Sequence, residues 1–261
     1  MDFQSIRNAL SLGVRLFRFE LKERYAGTML GVFWLLIHPL FMLLVYTFIF
    51  GEVLQLRFGA DHSTAQFALY LFTGLLVFNA FSEVLTRSPV VLSERRDLLL
   101  NTPLPAWLLP FLPVAVSVVL ESIALLVLLF AISFQTGLKI TALPFYLCFL
   151  VIRIILSLAG AYMIAVLGVF LRDLRQLMPV LMTVLLFVSP ILYPAELIPE
   201  EFRVFYDWNI LAQLITGYRE ALLEGVINWN RFGALLVIAL IFLGLALWMF
   251  RNLMPRARYV L

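Results

Sequence analysis

The chain has 261 residues, of which 63% are apolar and 13% charged, against roughly 45–50% and about 25% in a typical soluble domain. Sixteen acidic and nineteen basic residues cannot coat so much apolar surface, and a mean hydropathy of +1.01 leaves lipid as the solvent for a fold of this size. A net charge of +3 is too small to recruit nucleic acid, and the one cysteine, Cys148, lies in an apolar run, which excludes a disulfide framework and a cysteine metal site.

The chain opens on residues 5 to 25, where Ile6, Leu10, Val14, Phe17 and Leu21 recur at helical spacing with Arg7, Arg15, Arg18, Lys22 and Arg24 largely elsewhere on the wheel. That pattern predicts an amphipathic helix lying in the membrane interface. The same stretch lacks the short apolar core and small-residue cleavage site of a secretory leader, so none is expected.

Spans follow from where charges are missing, because a hydrocarbon core of about 30 Å needs roughly 20 helical residues and disfavours each unpaired charge. Runs without Asp, Glu, Lys or Arg cover 27 residues between Arg24 and Glu52, 21 between Asp61 and Glu83, 20 from Gln176 to Ala195 and 19 from Phe232 to Phe250. Between Asp97 and Arg172 the chain is apolar for longer than one span needs. It is interrupted there by Glu121, by a turn at QTGLK (135 to 139) and by Arg153, and reads as two helices with one buried charge each. Six transmembrane helices are therefore expected at 29–50, 67–86, 108–134, 142–170, 177–193 and 232–251, in an all-α integral membrane protein of one domain, 1–261. Glu121 and Arg153 each lie 16 positions from Gly137 at the centre of the turn, hence at equal depth, and are expected to pair across the third and fourth spans.

Two further elements do not span. Ser93 can cap a short helix over 93–102 with Glu94 and Asp97 in its first turn and Pro103 to stop it. Residues 194 to 230 carry a broken amphipathic pattern after Pro194 and Pro199, which predicts one or two external helices dipping back into the interface. Tyr193, Tyr206, Trp208, Tyr218 and Trp229 gather there in the manner of interfacial anchors.

Soluble catalytic constellations are missing. His38 sits beside Pro39 in the first span and His62 in a loop, and neither has the companions of a zinc motif. A P-loop ends in Lys followed by Ser or Thr, whereas Lys22 and Lys139 are followed by Glu and Ile. Energy from ATP would have to arrive through another subunit. A channel or secondary transporter remains an alternative, in which Glu121 and Arg153 would be the deep polar candidates.

Three segments, ERYAGTMLGVFWLLIHPLF (23 to 41), LRDLRQLMPVLMTVLLFVSPILYPAELIP (171 to 199) and GYREALLEG (217 to 225), resemble in order and spacing the membrane subunit of ABC-2 type polysaccharide exporters. Within that family the resemblance is closest to the O-antigen export branch, with capsular polysaccharide and teichoic acid export permeases as near relatives. It implies a homodimer flanked by two nucleotide-binding ATPase subunits, which would hold ATP and Mg while this chain holds no cofactor or metal. The cargo would be a glycan on a polyprenyl pyrophosphate carrier, in a bacterial cytoplasmic (inner) membrane. The 93–102 helix would be the coupling helix, with Glu94, Arg95, Arg96, Asp97 and Leu99 facing the ATPase. Trp34, Tyr46, Tyr70, Phe78 and Tyr193 are candidates for the channel lining, and Arg15, Arg18, Lys22 and Arg24 for the anionic cargo's entrance.

Thirteen Lys and Arg lie on the face that carries both termini and five on the other, which places both termini in the cytoplasm. In a Cys148→Ser background, single cysteines at Ser63 and Ala195 should react with an impermeant reagent outside intact cells and one at Ser93 should not. Labelling of 93 alone inverts the map.

Overall fold

A computed structural model describes residues 3–49, 64–102, 104–135, 137, 139–193 and 198–261. The described residues form ten α-helices and no strand: α1 (Phe3–Tyr25), α2 (Trp34–Tyr46), α3 (Thr64–Arg87), α4 (Arg96–Asn101), α5 (Leu108–Gln135), α6 (Ala142–Phe170), α7 (Leu174–Val188), α8 (Glu200–Trp208), α9 (Ile210–Arg219) and α10 (Trp229–Val260). The expected loop at 51–66 lies outside the described residues up to 63, as do His62, Pro103 and residues 194–197.

Among the described residues, four helical segments are long and apolar enough to cross a bilayer: Ala65–Val90, Leu108–Gln135, Ala142–Phe170 and Trp229–Val260. The two others expected to span are short, Trp34–Ile49 and Leu174–Val188, about 24 Å or less at 1.5 Å per residue. Each has a local cause. The chain leaves α1 through Gly27 at φ +80°, a left-handed conformation that a residue with a Cβ resists, so the segment expected to start at 29 becomes helical only at a 3₁₀ turn over Gly31–Phe33 and then α2. At the other break Pro190 disfavours helix at the residue before it, and Ser189 is extended at ψ 142°. The helix expected over 177–193 therefore runs from Leu174 to Val188. The 93–102 helix likewise begins late: Arg95, not Ser93, is the N-cap of α4, without a side-chain cap bond.

Among the described residues the bundle has two large apolar cores and a small third cluster of Val84, Val114 and Ala161. At its basal end, which carries α1, α4 and the end of α10, Leu92, Leu99 and Leu109 pack with Ala165, Val166, Phe250 and Met254. Leu12, Leu16 and Phe17 of α1 close this cluster from outside, whereas Val14, expected on the apolar stripe, is 51% exposed. The larger core fills the rest of the bundle between α3, α5, α6, α7, α9 and the first turns of α10. α6 lies against α10 through Ala159 and Ala165 opposite Ala246 and Ala257, small residues of the kind that let helices approach closely in lipid. At the distal end Lys139 and Thr141 donate to the carbonyls of Glu224 and Gly225 at 2.5 and 2.7 Å, tying the α5–α6 turn to the turn after α9.

Among the described glycines the tightest site is Gly168, where a Cβ would lie 2.2 Å from the Pro89 carbonyl oxygen. Because that neighbour is backbone, Gly168→Ala should destabilise by about 1–3 kcal/mol, measured as a lower midpoint of thermal unfolding in detergent. Gly233→Ala and Gly244→Ala, which would meet nothing within 4 Å, should hold or raise that midpoint.

Candidate functional site

Glu121 of α5 and Arg153 of α6 are 2% and 0% exposed. Equal spacing from the turn brings them to one level, where Arg153 Nη2 forms an ion pair with Glu121 Oε2. Arg153 Nη1 donates to Ser117 Oγ at 2.8 Å. The second carboxylate oxygen accepts from Tyr218 Oη of α9 at 2.9 Å and from Tyr146 Oη at 3.4 Å, the two rings meeting edge to face at 5.3 Å. Tyr218 thus leaves the group of interfacial aromatics and becomes a core residue at 0% exposure, while Trp208 and Trp229 stay 83% and 63% exposed.

The neighbouring residue, Arg219, is also drawn inwards. Although it lies in a segment expected to be external, it is 5% exposed. Its Nη1 and Nη2 donate to the carbonyls of Pro190 and Ile191, both at 2.9 Å, and its Nε to that of Tyr70 at 3.2 Å. The guanidinium lies 3.4 Å from the centre of the Tyr70 ring. It therefore serves the carbonyls freed where α7 breaks, at the negative end of that helix. The signal was present in the sequence: Arg219 stands four residues after Ile215, on the stripe that packs. Glu220 in turn forms an ion pair with Arg231.

A cavity of about 630 Å³ opens between α2, α3 and α5. Of the five aromatics expected to line a channel, Trp34 and Tyr46 border it. The structure brings none of the others there. Phe78 is 5% exposed in the large core, Tyr70 lies under Arg219, and Tyr193 Oη donates to the Phe187 carbonyl at 3.0 Å. His38, Asn79, Glu83 and Glu121 also border the cavity. At its basal mouth Arg24 donates to both Glu83 oxygens, at 2.5 and 3.1 Å.

That pair sets Arg24 apart from the other basic residues of α1, because Arg15, Arg18 and Lys22 are simply exposed. One residue earlier, Glu23 pairs with Arg95 at 3.5 Å, and the Arg95 guanidinium lies 5.3 Å from the centre of the Phe19 ring. Glu20 sits among these charges, its carboxyl pushed above the usual range by burial, with Arg87 and Arg95 pulling the other way. α1 is so fastened on one side to α3 and on the other to the start of α4. On α4 itself Leu99 is buried in the basal core, and Glu94, Arg96 and Asp97 are exposed around it. No cluster of three His, Cys, Asp or Glu able to hold a metal occurs among the described residues.

The sequence matches the ABC-2 type transporter family over residues 14–223. It is 29% identical over 218 residues to the O-antigen export system permease protein RfbA of Myxococcus xanthus, covering 81% of this chain and 80% of the relative. It is 24% identical over 251 residues to a protein of the same name from Klebsiella pneumoniae, covering 93% and 92%. With the polysialic acid transport protein KpsM of Escherichia coli it shares 28% identity over 245 residues, covering 91% and 92%.

In the buried network, Glu121→Gln or Arg153→Met alone should cost about 3–5 kcal/mol by stranding the other group. The double variant should lose less than the sum of the two. Thermal unfolding of the purified protein reads both; strict additivity would show that the groups do not support one another.

Proposed function

The chain belongs to the ABC-2 type transporter family, and on that premise we propose that it is the membrane-spanning permease subunit of an ABC transporter that exports a lipid-linked, O-antigen-like polysaccharide. The observation that carries this is the match along more than nine-tenths of the chain to a permease named for O-antigen export. The similarity to a polysialic acid transport protein, of the same extent, favours a capsular polysaccharide as the second reading.

On this reading the four long helices and the two short ones give six spans, with both termini in the cytoplasm of the cell that carries the chain. The short helices would cross with the help of the turns that flank them. ATP and Mg belong to a separate ATPase, two copies of which would flank a homodimer of this chain. α4 is suited to receive ATPase motion because Leu99 roots it in the basal core while Glu94, Arg95, Arg96 and Asp97 surround it. Arg95 extends that contact to α1 through Glu23 and Phe19. The exposed Arg15, Arg18 and Lys22 recur at spacings of three and four, so they rise on one face of α1. There they can meet the pyrophosphate of a polyprenyl carrier with charge-assisted bonds. Arg24 joins them only by exchanging its partner Glu83 for the cargo. α8 and α9 would stand at the external exit.

Reconstituted with its ATPase, the chain should move a lipid-linked glycan across vesicles only when ATP is supplied. Leu99→Pro, which breaks α4, should leave the complex assembled and ATP hydrolysis running while export falls at least tenfold. Transport without ATP, or full export by Leu99→Pro, overturns the respective part of this reading.

A further inference from the structure

The cavity between α2, α3 and α5 contains polar side chains that packing does not explain. α3 is buried without a break from Leu71 to Phe78, and the next residue, Asn79, is exposed to the cavity. His38 reaches the same space from α2 and is exposed as well. Neither side chain has a hydrogen-bond partner among the described residues. Asn79 lies roughly two turns, about 12 Å, inside the Arg87 end of its helix, within hydrocarbon once α3 spans the bilayer. A carboxamide has two donor and two acceptor positions, and leaving such a group bare in lipid costs several kcal/mol. Water or a polar ligand must occupy the space around it.

The surrounding groups define which ligand. The two carboxylates on the wall are already matched, Glu83 by Arg24 and Glu121 by Arg153, so no net charge is offered to an ion. An alkyl chain gains nothing from an amide and an imidazole. What remains is a neutral partner with many hydroxyls and some flat apolar faces. Asn79 and His38 supply donors and acceptors, and Trp34, 40% exposed on the same wall, supplies a ring face. The volume, about 630 Å³, is within the range of about 300–1,000 Å³ usual for single-ligand pockets.

We propose that this cavity is a carbohydrate subsite in the basal half of the transport path, in which Asn79 and His38 bond sugar hydroxyls and Trp34 stacks on a pyranose face. The subsite rests on the reading of the chain as a glycan permease, and the test separates the two.

In the complete complex with its ATPase, built on Cys148→Ser, Asn79→Cys is treated with a hydrophilic thiol reagent. Val151→Cys on α6, a position 51% exposed, serves as the lipid-facing reference. Asn79→Cys should react at least tenfold faster than the reference. A soluble oligosaccharide released from the cell's own lipid-linked glycan, added without ATP, should slow it several-fold. Separately, Asn79→Leu should raise the glycolipid concentration for half-maximal stimulation of ATP hydrolysis by about three- to tenfold, the loss of one hydrogen bond or so, with Asn79→Gln restoring part of it. An unreactive Asn79→Cys, or one that the oligosaccharide does not protect, overturns the subsite. An unaltered half-saturating concentration in Asn79→Leu does so too. A parent complex whose ATP hydrolysis ignores the glycolipid overturns the export reading instead, while protection by the oligosaccharide still decides the subsite.

Discussion

The buried pair of Glu121 and Arg153 constrains the arrangement of the helices around it. Inside an apolar bundle set in lipid, Arg153, at 0% exposure, is held by the Glu121 carboxylate against one terminal nitrogen and by a hydrogen bond from the other to Ser117, without which the buried charge would be strongly disfavoured. That requirement locks the rotation and the relative height of α5 and α6. Tyr218 commits its hydroxyl to the same carboxylate, so α9, a helix of ten residues, is held at a fixed depth by the pair that joins the two long helices.

α9 is held from its other side by Arg219. Two consecutive residues thus point to different partners, Tyr218 to the charge pair and Arg219 to the broken end of α7 and the Tyr70 carbonyl of α3. The break in α7 and the burial of Arg219 explain one another. Pro190 ends the helix and frees carbonyls that lipid cannot satisfy, and the guanidinium satisfies them while the Tyr70 ring shields its face. A movement of α9 would have to release both anchors together, which ties the distal end of the fold to its middle.

The basal end is organised on a different principle. Its charges are partly exposed and arranged as neighbours along α1: Glu20, Glu23 and Arg24 face Arg87, Arg95 and Glu83. Individual pairs of this kind contribute little to stability. Their effect is geometric, since α1 cannot shift without disturbing both the start of α4 and the mouth of the cavity. The start of α4, the basic helix α1 and the cavity with its unsatisfied amide are consequently linked through one short stretch of chain.

Composition alone determines that lipid is the solvent, because 13% charged residues cannot cover the fold. The charge-free runs determine α3, α5 and α6 to within about three residues, since the cost of charge in hydrocarbon acts locally along the chain, whereas α10 runs on to Val260, past the expected end at 251, because a helix can continue into the polar interface beyond the hydrocarbon. Symmetry about the α5–α6 turn is also local, and spacing along the chain is enough to put Glu121 and Arg153 at one depth. Helix ends were less legible. Gly27, Ser189 with Pro190, and Arg95 shorten or delay helices through backbone preferences that hydropathy does not weigh. The rest belongs to the tertiary structure alone. Whether Arg219 is solvated or buried, whether Tyr218 anchors in the interface or in the core, and whether Tyr46 or Tyr70 borders the cavity all depend on which helix lies opposite. A sequence gives each residue its chemistry and its position on a helix face, but the partner that faces it is chosen only when distant segments pack.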